Sequence, residues 1–154
     1  MDYEKKALTY DEAKEKALKY LDYRSHSEYE IREKLKLAGA EADIIEQVCE
    51  FLLEYKLIND TDYAIRYSRD LQNLKRLGKA RIRSELKKKG IENDIIEIAV
   101  SELPEQDEGM LFELVKKRMK GNMVNREKVM RYFLYRGYSF DEIKNCINNI
   151  NFED

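Results

Sequence analysis

The 154-residue chain reads as an all-α protein of three tandem three-helix modules in an elongated, curved arrangement, and three observations lead there. Leu, Ile, Glu, Lys and Arg abound, whereas there are only one proline and six glycines, so helix formers dominate and breakers are few. The segments "SEYEIREKLKLAGAEADIIEQVCEFL" from Ser27, "GKARIRSELKKKGIENDIIEIAVSEL" from Gly78 and "NREKVMRYFLYRGYSFDEIKNCINNI" from Asn125 repeat one pattern, with Gly39, Gly90 and Gly137 at intervals of 51 and 47 residues. Each repeat places an apolar residue eight before its glycine (Ile31, Ile82, Val129), another four before it (Leu35, Leu86, Phe133), Asp four after (Asp43, Asp94, Asp141) and Ile six after (Ile45, Ile96, Ile143).

Apolar residues four apart line one face of a helix, and a following glycine can take the left-handed conformation that ends it, so each repeat is helix, tight turn, helix. A first helix over 11–23, with Leu18 and Leu21, closes the first small core. The next begins at a Ser-x-x-Glu capping box, Ser27 to Glu30, and is followed by a stripe of Ile44, Ile45, Val48, Cys49, Leu52 and Leu53. A helix over 60–76, opened by Asp60 and carrying Ala64, Tyr67, Leu71 and Leu74, precedes the second pair, whose stripe is Ile95, Ile96, Ala99, Val100 and Leu103. A helix over 107–120, opened by Asp107 and carrying Leu111, Leu114 and Val115, precedes the third, which Asn125 caps and whose stripe is Ile143, Cys146, Ile147 and Ile150. Pro104 within "SELPEQDEG" marks the joint between the later modules, and the module boundaries fall at 1–58, 59–104 and 105–154.

Charge is unevenly spread. Residues 75–90 hold eight bases and one acid, Glu85, a local charge of +7, while residues 1–62 hold ten bases and 16 acids, or −6. A second basic region contains Lys116, Lys117, Arg118, Lys120, Arg126, Lys128, Arg131 and Arg136. Lys87, Lys88 and Lys89 can be explained by the negative end of a helix dipole, but Lys75, Arg76, Lys79, Arg81 and Arg83 surround a helix start, where that dipole has the wrong sign. They point to an anionic partner, either DNA phosphate or acidic patches on a protein. Lys79, Arg83 and Lys87 are spaced i, i+4, i+8 and form one stripe.

Catalytic chemistry has little to stand on. His26 is the single histidine and sits at a helix start, where a surface role is expected; Cys49 and Cys146 fit buried thiols better than a disulfide or zinc site, and the glycines are solitary. No catalytic residue, cofactor or metal is expected. Of the 11 tyrosines, Tyr20, Tyr23, Tyr63 and Tyr67 suit module edges, while Tyr132, Tyr135 and Tyr138, close to Arg131 and Arg136, are the one cluster suited to base stacking. The opening "MDYEKKALTYDEA" is charged throughout, so export is not expected; nor is a membrane span, and the location read is cytoplasmic.

The blocks "LDYRSHSEYEIREKL" (Leu21, Arg24, Ser25, Ser27, Glu30, Arg32, Lys34, Leu35), "DTDYA" from Asp60, "GKARIRSELKKKGI" from Gly78 and "RYFLYRGYS" from Arg131 resemble the RecX family of bacterial regulatory proteins, in order and over nearly the whole chain. Ala38 stands where that family usually has a basic residue before the glycine, and Lys79 where it often has proline. The resemblance implies a non-enzymatic, monomeric inhibitor of the RecA recombinase in DNA repair, homologous recombination and the SOS response. Such a protein lodges in the groove of the RecA filament on single-stranded DNA, with weak direct DNA contact, and limits filament extension, ATP hydrolysis and strand exchange. The surface residues assigned to that contact are Arg69, Lys75, Arg76, Lys79, Arg81, Arg83, Lys87, Lys117, Arg131 and Arg136. The alternative is an autonomous DNA-binding protein of tandem helix-turn-helix units, which the acidic and apolar second helices fit poorly.

Overall fold

In the computed structural model, which describes residues 6–119 and 125–150, helix is the only regular element among those residues. The first module consists of α1 (Tyr10–Tyr23), α2 (Glu28–Leu37) and α3 (Ala42–Glu54). The second consists of α4 (Asp60–Asn73), α5 (Lys79–Lys88) and α6 (Asn93–Ser101), and the third of α7 (Glu108–Met119), α8 (Arg126–Tyr135) and α9 (Phe140–Asn148). Within each trio every helix packs on the other two. The sequence expectation for the first helix of the third module ended at residue 120, which lies outside the described residues.

The repeated apolar positions are the cores. Ile31 and Leu35, Ile82 and Leu86, and Val129 and Phe133 are all buried, facing Ile45, Ile96 and Ile143 across their turns. Each such side chain withdrawn from water contributes about 1.5–3 kcal/mol, which is what lets short helices hold together. Helix starts follow side-chain chemistry as expected at Ser27, whose capping box with Glu30 is complete, and at Asn125, whose Oδ1 accepts from the Lys128 N–H at 3.1 Å. Asp107 also caps, accepting from the Gly109 N–H at 3.0 Å.

Several positions differ from the sequence expectation. α4 is capped by Asn59, not Asp60, because the Asp60 carboxylate is engaged elsewhere. It ends at Asn73 rather than 76, since Arg76 takes φ +53° and the Leu77 N–H turns back to the Leu71 carbonyl at 3.1 Å. That turn swings Leu74 outward to 78% exposure. Leu18 and Leu53 are also exposed, their places in the first core being taken by Ala13 and Ala17 and by Leu52. Tyr23 is exposed at the end of α1 rather than packed. Cys49 is buried, whereas Cys146 is only half-buried. His26 is not on the surface: it is buried, with Nδ1 2.8 Å from the Arg24 carbonyl and Nε2 2.8 Å from Lys34 Nζ. Nδ1–H therefore donates and Nε2 accepts from the ammonium, so the ring is neutral. Burial first, then the Arg24 and Lys34 charges, hold its pKa below 6.5.

Candidate functional site

The modules meet at two junctions, and at each the start of one module's second helix touches the turn of the next module. At the first, Ser27 Oγ donates to the Lys89 carbonyl at 2.7 Å and the Glu28 N–H to Asp60 Oδ1 at 2.9 Å. Glu30 is the hub: it accepts from Arg24 at 2.9 Å, from the Ser27 N–H at 3.1 Å and from Lys89 Nζ at 3.5 Å. Burial alone would raise its pKa, but these donors, the Tyr63 hydroxyl and the Lys89 charge outweigh it and bring the carboxyl down to about 2.

At the second junction the contact is backbone to backbone. Gly78 N–H donates to the Arg136 carbonyl at 2.9 Å and Ala80 N–H to the Gly137 carbonyl at 3.3 Å. Tyr138 OH reaches the Arg76 carbonyl at 2.6 Å, Gln106 Nε2 the Leu77 carbonyl at 3.3 Å, and the Arg136 guanidinium the Lys75 carbonyl. A methyl at Gly78 would overlap the Gly137 carbonyl, so this helix start carries glycine where the aligned positions carry Ser27 and Asn125. The residue before the turn glycine, Lys89 or Arg136, reaches back into the preceding module. Ala38 holds that position in the first module, and a methyl at Gly39 would meet nothing within 4 Å.

Beside the second junction lies a groove of about 510 Å³ between the two later modules. Lys75 and Arg76 come from the left-handed turn after α4, Lys117 and Arg118 from the end of α7, and Arg136 from the cap of α8; Leu74, Leu114, Tyr132 and Phe133 complete the lining, which contains no carboxylate. A smaller hollow of about 320 Å³ adjoins it, sharing Arg76, Leu114 and Lys117 and adding Lys116 and Glu113. Among the described residues, none of the five groove cations is in an ion pair. Five unneutralised charges around one concavity repel each other and raise the local potential, an arrangement suited to holding an anion.

Of the ten residues assigned from sequence, the fold brings Lys75, Arg76, Lys117 and Arg136 together here. Arg81 is committed to the second junction, 2.9 Å from Glu85 and 4.4 Å from the centre of the Tyr135 ring. Arg83 pairs with Glu97 at 2.9 Å, bracing α5 to α6 as Arg32 and Glu46, at 2.8 Å, brace α2 to α3. Arg69, Lys79, Lys87 and Arg131 are exposed outside the groove. Arg118 was not assigned from sequence, although it sits in the basic run that supplied Lys117; its guanidinium lies 3.3 Å from the Tyr132 ring centre. Of the tyrosine cluster, only Tyr135 is largely exposed, at 72%. Tyr132 is covered by Arg118 with Arg136 at 5.7 Å, Tyr135 faces Arg81, and Tyr138 is buried with its hydroxyl bonded.

Comparison with known proteins decides the family. A profile described as the first three-helix domain of RecX matches residues 13–52, and one for the second three-helix domain matches 59–100. The chain belongs to the RecX family. Regulatory protein RecX of Clostridioides difficile is 35% identical over 94% of this chain and 71% of its own length, and that of Vibrio campbellii 35% over 92% of each. The crystal structure of RecX from Lactobacillus salivarius superposes with a TM-score of 0.78 at 27% identity, covering 90% of this chain and 94% of that one. These relatives are named regulatory proteins. None of the described helices is long and apolar enough to cross a membrane.

Proposed function

We propose that this chain is a non-enzymatic, cytoplasmic, monomeric inhibitor of the RecA recombinase. It binds the RecA filament on single-stranded DNA in the filament's groove and limits extension, ATP hydrolysis and strand exchange during DNA repair and recombination. The modules, with bounds at 1–58, 59–104 and 105–154, act as beads that touch successive subunits, each contact weak and the sum strong. The supporting observation is the groove of unpaired cations on a chain whose relatives are named regulatory proteins. Lys75, Arg76, Lys117, Arg118 and Arg136 carry the contact, with exposed Arg69, Lys79, Lys87 and Arg131 adding to its field.

Hydrolysis of ATP by RecA on single-stranded DNA, with this protein titrated in below one per recombinase, tests the reading. Inhibition is expected, and Lys75→Glu with Lys117→Glu should weaken it about tenfold or more while leaving the melting temperature in place, because both side chains are exposed. Absence of inhibition, with sequence-selective binding to duplex DNA, would replace this reading with the tandem helix-turn-helix one.

A further inference from the structure

We infer that the groove between the second and third modules takes an acidic protein segment carrying an apolar side chain, rather than a nucleic-acid strand. The inference rests on the filament reading above and narrows which component of the filament this groove meets. Its rim supplies the charge: Lys75, Arg76, Lys117, Arg118 and Arg136 stand without acidic partners among the described residues, and the lining adds no carboxylate. Guanidiniums resting on a ring keep their in-plane N–H donors for a carboxylate. Arg118, 3.3 Å from the Tyr132 ring centre, is held in that way.

Charge alone would suit phosphate equally well, and two further observations separate the candidates. Leu74 is 78% exposed at the groove and lies with Leu114 and Phe133 among the lining residues. A leucine surrounded by cations offers nothing to a phosphate backbone, but gives an apolar side chain of a peptide a place to leave water. A single strand bound in such a groove would lay its bases on aromatic faces. In the groove itself the Tyr132 face is taken by Arg118 and Phe133 is buried, while Tyr138 lies in the core and the exposed Tyr135, with Arg81 4.4 Å from its ring centre, stands outside the lining.

Fluorescence anisotropy of the full chain tests this with two labelled probes, a short peptide of alternating Asp and Leu and an oligothymidylate, read against wild type, Leu74→Ser and Lys117→Gln. Leu74 already faces water, so its replacement leaves the fold in place. We expect the peptide to bind and Leu74→Ser to weaken it about tenfold without changing oligothymidylate binding, while Lys117→Gln weakens the peptide as well. Peptide binding indifferent to Leu74→Ser, or an oligothymidylate that binds more tightly than the peptide and is released by Lys117→Gln, overturns the inference. Inhibition of recombinase ATP hydrolysis is measured on the same samples. Inhibition without peptide binding overturns the groove chemistry alone and leaves the regulator reading standing; peptide binding sensitive to Leu74→Ser without inhibition supports the groove chemistry and removes the regulator reading.

Discussion

At the first junction the start of α2 meets the turn after α5 through side chains, Ser27 onto the Lys89 carbonyl and Lys89 onto Glu30, whereas at the second the start of α5 meets the turn after α8 through Gly78 and Ala80 N–H groups on the Arg136 and Gly137 carbonyls. The same two parts of the repeat come together at both places. A serine side chain between the backbones leaves room for a charged cluster. A glycine removes that spacer, and backbone closes on backbone at Gly78 and Gly137, whereas at the first joint Gly90 closes on the Tyr29 side chain. The first joint therefore depends mainly on groups that titrate and respond to salt, whereas the second adds to its Arg136, Tyr138 and Arg81 side chains a pair of backbone amide hydrogen bonds that do neither. Since the groove is built across the second joint, its walls should keep their spacing under conditions that loosen the first.

The largest expected effect breaks the second joint. Gly137 has φ +100°, and a methyl there would overlap the Arg81 backbone and crowd the Gly78 carbonyl. Gly137→Ala should cost about 3 kcal/mol or more and expose the Gly78 and Ala80 amides to hydrogen exchange. Gly39 has the same φ with empty space beside it, so Gly39→Ala should cost only about 1–2 kcal/mol, the strain of the dihedral itself. Equal losses of melting temperature in the two variants would show that the close approach at the second joint is not what holds it.

Next in size is Glu30→Gln, which leaves Arg24 and Lys89 without their carboxylate and should cost about 2–3 kcal/mol. It also sharpens the contrast in pH response. Folded Glu30 titrates at about 2 against an ordinary 4.5, so the folded protein binds fewer protons there than the unfolded chain; that stability is whole above pH 4.5 and lost as pH falls toward 2. His26, also held below its ordinary 6.5, adds a loss that begins as pH drops below 6.5, when the unfolded chain takes the proton first. Acid titration followed by hydrogen exchange should therefore release the Glu28 and Glu30 amides before those of Gly78 and Ala80. Release in the opposite order would contradict the division of labour between the joints.

The smallest effect is a gain. Ser68 is fully buried in α4 and its hydroxyl has no hydrogen-bond partner among the described residues, at the position aligned with Ala17 of α1. Ser68→Ala should stabilise the protein by about 1 kcal/mol, seen as a raised melting temperature, and should leave both joints unchanged.

Much of this was legible in the linear sequence because it is local. The glycine spacing, the i, i+4 apolar pairs and the caps at Ser27, Asp107 and Asn125 each involve residues within one helix or turn, and each is where the pattern puts it. The capping box of Thr9 with Glu12 has the same Ser/Thr-x-x-Glu form as Ser27 with Glu30 and was open to the same reading. What escaped the pattern is what crosses between elements. His26 is buried because α1 and Lys34 close over it, and Leu74 faces water because Arg76 adopts a left-handed turn that no glycine announces. Among the cations, a stripe on α5 is visible in the spacing of Lys79, Arg83 and Lys87, but the partner of Arg83 is 14 residues away on α6 and the groove cations are 61 residues apart. Charge density marks where the cations concentrate; only packing says which of them stand outside an ion pair.

The open turn at Gly39 makes the protein convenient to handle one molecule at a time. Leu37 beside it is 87% exposed, while burial pushes the Cys49 thiol up to about 11 and the Cys146 thiol also upward, so neither native cysteine forms thiolate readily near neutral pH. An exposed cysteine introduced by Leu37→Cys would take a maleimide dye or a bead tether ahead of the buried Cys49 and the half-buried Cys146, and report where this protein sits and how long it stays.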